Sequence, residues 1–120
     1  HLDYAGGGIV STTEDLLAFL KALVGLHLLN AATLRRMMED RARFSFGIDY
    51  GYGIWLIKTV PVLMPEKFNS WGSAGITGAF LFYHPRTDAY LIGTFNESSY
   101  QRKALRFMMS KLMNNLVKLT

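Results

Sequence analysis

The chain has 120 residues, 50% of them hydrophobic and 13% aromatic, with a formal net charge of +4. That length and apolar content fit one folded domain with a real core and exclude wholesale disorder, and no apolar run approaches the roughly 20 residues that a membrane-spanning helix needs. The absence of cysteine excludes disulfides, thiol nucleophiles and zinc–thiolate sites, while the basic residues, scattered over Arg35, Arg36, Arg41, Arg43, Arg102, Lys103, Arg106, Lys111 and Lys118, read as solvated faces rather than a nucleic-acid patch interleaved with aromatics.

The first feature in chain order is the glycine triplet Gly6-Gly7-Gly8. It lacks the spacing of a dinucleotide fingerprint and the Lys-Ser/Thr ending of a P-loop, so it reads as a tight backbone turn and not as a phosphate cradle. Ser11-Thr12-Thr13-Glu14 then marks a helix start. Ser11 with Glu14 matches a capping box, and Thr12 with Asp15 offers the same arrangement one residue later. Leu16, Phe19, Leu20 and Leu23 form the apolar stripe of this helix, and Gly25 is its expected terminator. A second helix is expected from the N-cap Asn30 to about Glu39, with Leu34, Met37 and Met38 facing inward. Arg41 to Gly47 reads as a loop.

Tyr50-Gly51-Tyr52-Gly53-Ile54-Trp55-Leu56-Ile57-Lys58 is the first strand candidate, its glycines marking a bulge or a close backbone approach. Pro61 and Pro65 bracket a connection. Lys67 to Trp71 leads into Gly72-Ser73-Ala74-Gly75-Ile76-Thr77-Gly78, a glycine-rich stretch that signals close approach to the backbone. Phe80 to Tyr83 and Tyr90 to Phe95 form the clearest hairpin. Ser98 or Ser99 is expected to cap a last helix running almost to Thr120, with Leu105, Met108, Met109, Leu112, Leu116 and Leu119 on one arc. His27 and His84 are isolated and read as surface or capping residues, and Asp3, Asp49 and Asp88 as loop residues. The order predicts a single α+β domain over residues 1–120, an antiparallel sheet of about three strands with helices packed on it.

Four of these segments, in this order, carry a resemblance. Ala5-Gly6-Gly7-Gly8-Ile9-Val10-Ser11-Thr12-Thr13-Glu14-Asp15-Leu16-Leu17-Ala18-Phe19-Leu20, Tyr50-Gly51-Tyr52-Gly53-Ile54-Trp55, Trp71-Gly72-Ser73-Ala74-Gly75-Ile76-Thr77-Gly78-Ala79-Phe80 and Thr94-Phe95-Asn96-Glu97 are similar to segments of serine β-lactamase-related proteins, the group of class C β-lactamases, D-alanyl-D-alanine carboxypeptidases and related esterases. The resemblance covers nearly the whole chain and corresponds to the C-terminal portion of a family member. It implies the C-terminal part of the β-lactamase/DD-peptidase fold, acyl transfer through a serine, no cofactor or metal, and an extracytoplasmic or cell-envelope setting.

Acyl transfer needs a nucleophile, a base beside it and backbone donors for the oxyanion. The family supplies the first two from Ser-x-x-Lys and from Tyr-x-Asn or Ser-x-Asn. Neither pattern occurs here: no serine has Lys three residues on. The family's third motif, [Lys/His]-[Thr/Ser]-Gly, is altered. By resemblance Ser73 stands at the cation position, Ala74 at the hydroxyl position and Gly75 at the glycine, with the Ile76 N–H as oxyanion donor. A shifted register, Ile76-Thr77-Gly78, keeps the hydroxyl of Thr77 and still lacks the cation.

Two readings follow from this. The chain is expected to be the C-terminal segment of a β-lactamase- or penicillin-binding-protein-like hydrolase, inactive by itself, or else a non-catalytic binding or assembly module built on that fold. In intact relatives N-terminal strands lie beside the last strand. The implied partners are therefore the missing N-terminal part or a second copy joined through the strand near Tyr90 to Phe95, with no nucleic acid and no transmembrane segment.

Overall fold

A computed structural model describes residues 8–58, 66–97 and 101–119. The glycine triplet up to Gly7, Asp3, Pro61, Pro65, Ser98 and Ser99 lie outside the described residues.

Helix α1 spans Thr13–Val24. Of the two capping frames in the sequence, the later one operates: the Thr12 side chain accepts from the Asp15 N–H at 3.1 Å. Gly25 is the C-cap, and the chain leaves through a Schellman motif in which the His27 N–H reaches the Ala22 carbonyl at 2.9 Å. The left-handed position of that motif falls on Leu26, with φ 61°. A leucine there carries the steric penalty that glycine avoids. Leu26→Gly is therefore expected to stabilise the protein by about 0.5–1 kcal/mol, read as a higher urea midpoint; a lower midpoint would show that the half-exposed leucine contributes more by packing. Helix α2, Ala31–Glu39, starts on Asn30, whose Oδ1 accepts from the Thr33 N–H at 2.8 Å.

Among the described residues six strands follow: β1 (Ala42–Ser45), β2 (Ile48–Tyr50), β3 (Trp55–Ile57), β4 (Ser70–Ala74), β5 (Phe80–His84) and β6 (Ala89–Gly93). They form one antiparallel sheet in sequence order. The α+β class is as the sequence implies, but the sheet has six strands where about three were expected. Two segments account for most of the difference. Arg41 to Gly47, expected as a loop, contains β1. All four of its residues are exposed, so it has no buried face and leaves no period-two signal. The Tyr50 to Lys58 candidate is not one strand: β2 ends at Tyr50, β3 begins at Trp55, and Gly53 turns the chain between them with φ 70°.

A C-terminal helix closes the described chain as α3 (Gln101–Phe107), a π-helical stretch (Met108–Met113) and α4 (Asn114–Lys118). The i→i+5 bonding of a π-helix brings residues five apart onto one face. Met108 and Met113 are accordingly both fully buried. The expected arc therefore holds at Leu105 and Met108, gains Met113, and fails at Leu119, which is 85% exposed.

The sheet has a core on each face. Trp55, Ile57, Phe80 and Phe82 pack with Ala104, Leu105, Met108 and Met113 of the C-terminal helix. Ile54, Leu56 and Trp71 pack with Leu20 of α1 and Leu34 of α2. Alternation along β4 sends Trp71 and Ser73 toward α1 and α2, and Ser70, Gly72 and Ala74 toward the C-terminal helix.

Two polar residues expected at the surface or in loops are buried. Asp49 lies in β2, 4% exposed, with Arg41 at 3.3 Å and Lys58 at 2.9 Å from its Oδ2. His84 ends β5 and is fully buried, tied to Thr87 Oγ1 at 2.7 Å and to the Lys67 carbonyl at 2.6 Å. Asp88 does lie in a turn, in the left-handed region, and accepts from the Tyr83 hydroxyl at 2.9 Å.

Burial, then the Asp88 hydrogen bond and its charge, pushes the Tyr83 phenol up from 10.0 to about 12. Because the folded value lies above the unfolded one, the contribution of Tyr83 to stability is complete below pH 10.0 and is lost as pH rises through about 12. Tyr83→Phe is expected to flatten the fall in stability over that window. An alkaline limb unchanged by the substitution would contradict this assignment.

Candidate functional site

The glycine-rich stretch divides into a strand and a turn. Ser70 to Ala74 form β4, with Ser73 opposite Leu81 and Ala74 opposite Phe80 on β5. Gly75 to Gly78 form the hairpin tip: the Gly78 N–H reaches the Gly75 carbonyl at 3.1 Å and the Gly75 N–H reaches the Ala79 carbonyl at 2.8 Å. Gly78 carries φ 78°, the left-handed residue that follows the turn in a three-residue hairpin loop. Ile76 and Thr77 stand exposed at this tip.

The Thr94-Phe95-Asn96 segment explains itself by the same local physics. Thr94 Oγ1 accepts from the Asn96 N–H at 2.9 Å, and Asn96 adopts a left-handed φ of 52°. This turn brings the Phe95 and Glu97 N–H groups onto the Gly78 and Thr77 carbonyls, at 3.3 and 2.8 Å. The third and fourth motif segments are thus bonded to each other at one end of the sheet. The second segment lies against the last turn of α2 through Gly51 and Tyr52. The Tyr52 N–H donates to the Met37 carbonyl at 3.0 Å, and a Cβ on Gly51 would collide with that same oxygen. The Tyr52 hydroxyl donates to Asp40 at 2.8 Å; that bond, followed by the Asp40 charge, raises the phenol above its ordinary value.

Between α1, α2 and β4 lies a cavity of about 330 Å³. Leu20, Leu23 and Met37 line it from the helices, Trp71 and Leu81 from the sheet, and Ile54 from the turn before β3. Ser73 is its one side-chain hydroxyl, and no titratable group lines it. The volume sits at the lower end of the range for small-molecule pockets, roughly 300–1,000 Å³.

No protein-family model, curated protein or solved structure matches the chain.

Of the residues the sequence singles out, the structure brings Ser73 to the cavity. Ala74 packs against the core under the C-terminal helix. Gly75, Ile76 and Thr77 occupy the turn beyond it. The helix side of the cavity was not legible as such, because an apolar stripe at helical spacing reads as core whether or not a void lies beneath it. In chemical terms the cavity can hold an apolar group. It presents no nucleophile beside a base, and among the described residues no cluster of three His, Asp or Glu side chains could hold a metal. Among the described residues no helix is long and apolar enough to cross a membrane. Among the described residues two buried side-chain polar atoms lack a partner, Ser70 Oγ and Asp49 Oδ1. Neither residue lines the cavity; Ser70 points into the opposite core.

Proposed function

We propose that this chain is the C-terminal portion of a serine β-lactamase- or penicillin-binding-protein-like hydrolase, in which β4 forms one wall of the cleft that receives the acyl group. The observation that carries the reading is the cavity beside Ser73. The strand with the family-like sequence borders a void of ligand size, and α1, which begins within the first family-like segment, closes its other side. On this reading the reaction transfers an acyl group from a β-lactam, a D-alanyl peptide or an ester to a serine and then to water. The chain contributes the cleft strand and, at Ile76, a backbone oxyanion donor. The nucleophile and its base come from sequence outside these residues, and the missing strands dock beside β6, the last strand in the sheet order.

The altered motif favours a second reading, a binding or assembly module on the same fold. Ser73 supplies no cation for a substrate carboxylate, and Ala74 supplies no hydroxyl. In that case β6 joins a second copy edge to edge.

The chain alone is expected to hydrolyse a chromogenic cephalosporin and p-nitrophenyl butyrate no faster than buffer. Saturable turnover of either, abolished by replacing one of its serines, would overturn the statement that it carries no complete catalytic set.

A further inference from the structure

The opposite face of the sheet carries a second and larger concavity that acyl transfer at β4 does not use. It is a groove of about 800 Å³ between the β1–β2 edge and the C-terminal helix. Phe44, Phe46, Trp55 and Phe68 line it from one side, and Leu105 and Met109 from the other. Phe44 is 60% and Phe46 56% exposed, although both are large apolar side chains. Adjacent exposed aromatics of this kind mark a contact surface. Phe44 rests on Trp55 with ring centroids 4.6 Å apart, so the aromatic wall is held in place and not merely loose at the edge.

The charge in this groove has one sign. Arg102 and Arg106 both line it, four residues apart on the helix and hence on the same face, and among the described residues no acidic side chain does. Among the described residues neither groove arginine forms an ion pair with a carboxylate. Ser45 and Ser110 are the other polar side chains of the lining. An aromatic and aliphatic trough with two guanidinium groups and no acid complements a ligand with an apolar body and an anionic end. A neutral apolar ligand would leave the guanidiniums without a role, and a polyanion would leave the trough unfilled.

We infer that this groove binds an amphipathic carboxylate, an alkyl chain lying on Phe44, Phe46 and Trp55 with its carboxylate on Arg102 and Arg106. The site is separate from the Ser73 cavity, and it stands whether or not the chain belongs to a hydrolase.

The test is a titration of the chain with decanoate below its micellar range, followed by isothermal calorimetry and by the side-chain Nε–H signals of Arg102 and Arg106. One saturable site is expected, with both arginine signals shifting. Decan-1-ol, of the same length without the charge, should bind about tenfold more weakly or worse, and Arg102→Gln with Arg106→Gln should weaken decanoate by about tenfold or more while leaving decan-1-ol unchanged. Both arginines are exposed, so the double variant should fold; an unchanged circular dichroism spectrum and urea midpoint verify that. Equal binding of acid and alcohol, decanoate binding insensitive to the double substitution, shifts confined to the residues around Ser73, or no saturable binding each overturns the assignment.

Discussion

Gly72→Val is expected to destabilise the protein by about 3 kcal/mol or more, at the upper end of what overpacking costs. A Cβ at Gly72 would collide with the Leu81 carbonyl oxygen and lie 2.7 Å from Phe82 Cα and 2.9 Å from the Leu81 carbonyl carbon. All three are backbone atoms of β5, so no rotamer change relieves the clash and the β4–β5 ladder itself must part. Trp55 and Phe82 flank Gly72 on the neighbouring strands, which leaves no lateral room for a larger side chain. Gly75→Ala serves as the control within the same motif. Its Cβ would meet nothing closer than Thr77 Oγ1 at 3.9 Å, and its effect should stay within about 0.5 kcal/mol. Urea denaturation followed by circular dichroism separates the two; similar costs for both substitutions would refute the packing account of Gly72. The glycine-rich signal in the sequence is thereby resolved at one position: what approaches the backbone of Gly72 is the neighbouring strand.

His84→Ala is the second large effect, with an expected loss of about 3 kcal/mol and a fall in Tm of about 10 °C. The Lys67 carbonyl can only accept, so His84 Nε2 carries the hydrogen of the 2.6 Å contact. In the neutral ring Nδ1 then accepts from the Thr87 hydroxyl at 2.7 Å. Truncation opens a cavity where the ring was fully buried and leaves a carbonyl and a hydroxyl without their partner. It also releases the segment before β4 from the turn after β5. His84→Gln, which retains a donor, should recover part of the loss. A fall in Tm below about 3 °C for His84→Ala would show that the ring is not a structural tie.

His84 was nonetheless partly legible. Phe80, Phe82 and His84 share the parity of β5, and the burial pattern alternates without a break. Period-two reasoning applied past the aromatics would have placed the histidine inside. The α1 and α2 starts were legible because a capping side chain and its target lie within three residues, and the β5–β6 hairpin because alternation and turn chemistry agree. By contrast, all four residues of β1 are exposed, so no alternation marks the strand even though Phe44 packs on Trp55. The π-helical stretch depends on hydrogen bonding that residue type does not encode, so Met113 reaches the core against the 3.6-residue wheel. At the candidate site, the resemblance singles out Ser73, and the structure sets that residue beside a void. The void was not legible in the sequence, because a cavity is set by how far α1 and α2 stand from the sheet, a tertiary quantity.

The central claim is that the chain keeps the cleft strand of a serine acyl-transferase while its nucleophile lies elsewhere. Covalent labelling with a fluorophosphonate serine probe tests it most directly, applied to the product of the full reading frame that encodes this chain and mapped by peptide mass spectrometry. The account predicts one adduct, on the serine of a Ser-x-x-Lys sequence outside residues 1–120, and none on the serines within them. An adduct on Ser73 or any other serine of the chain, or a full-length product that takes no label, would contradict it.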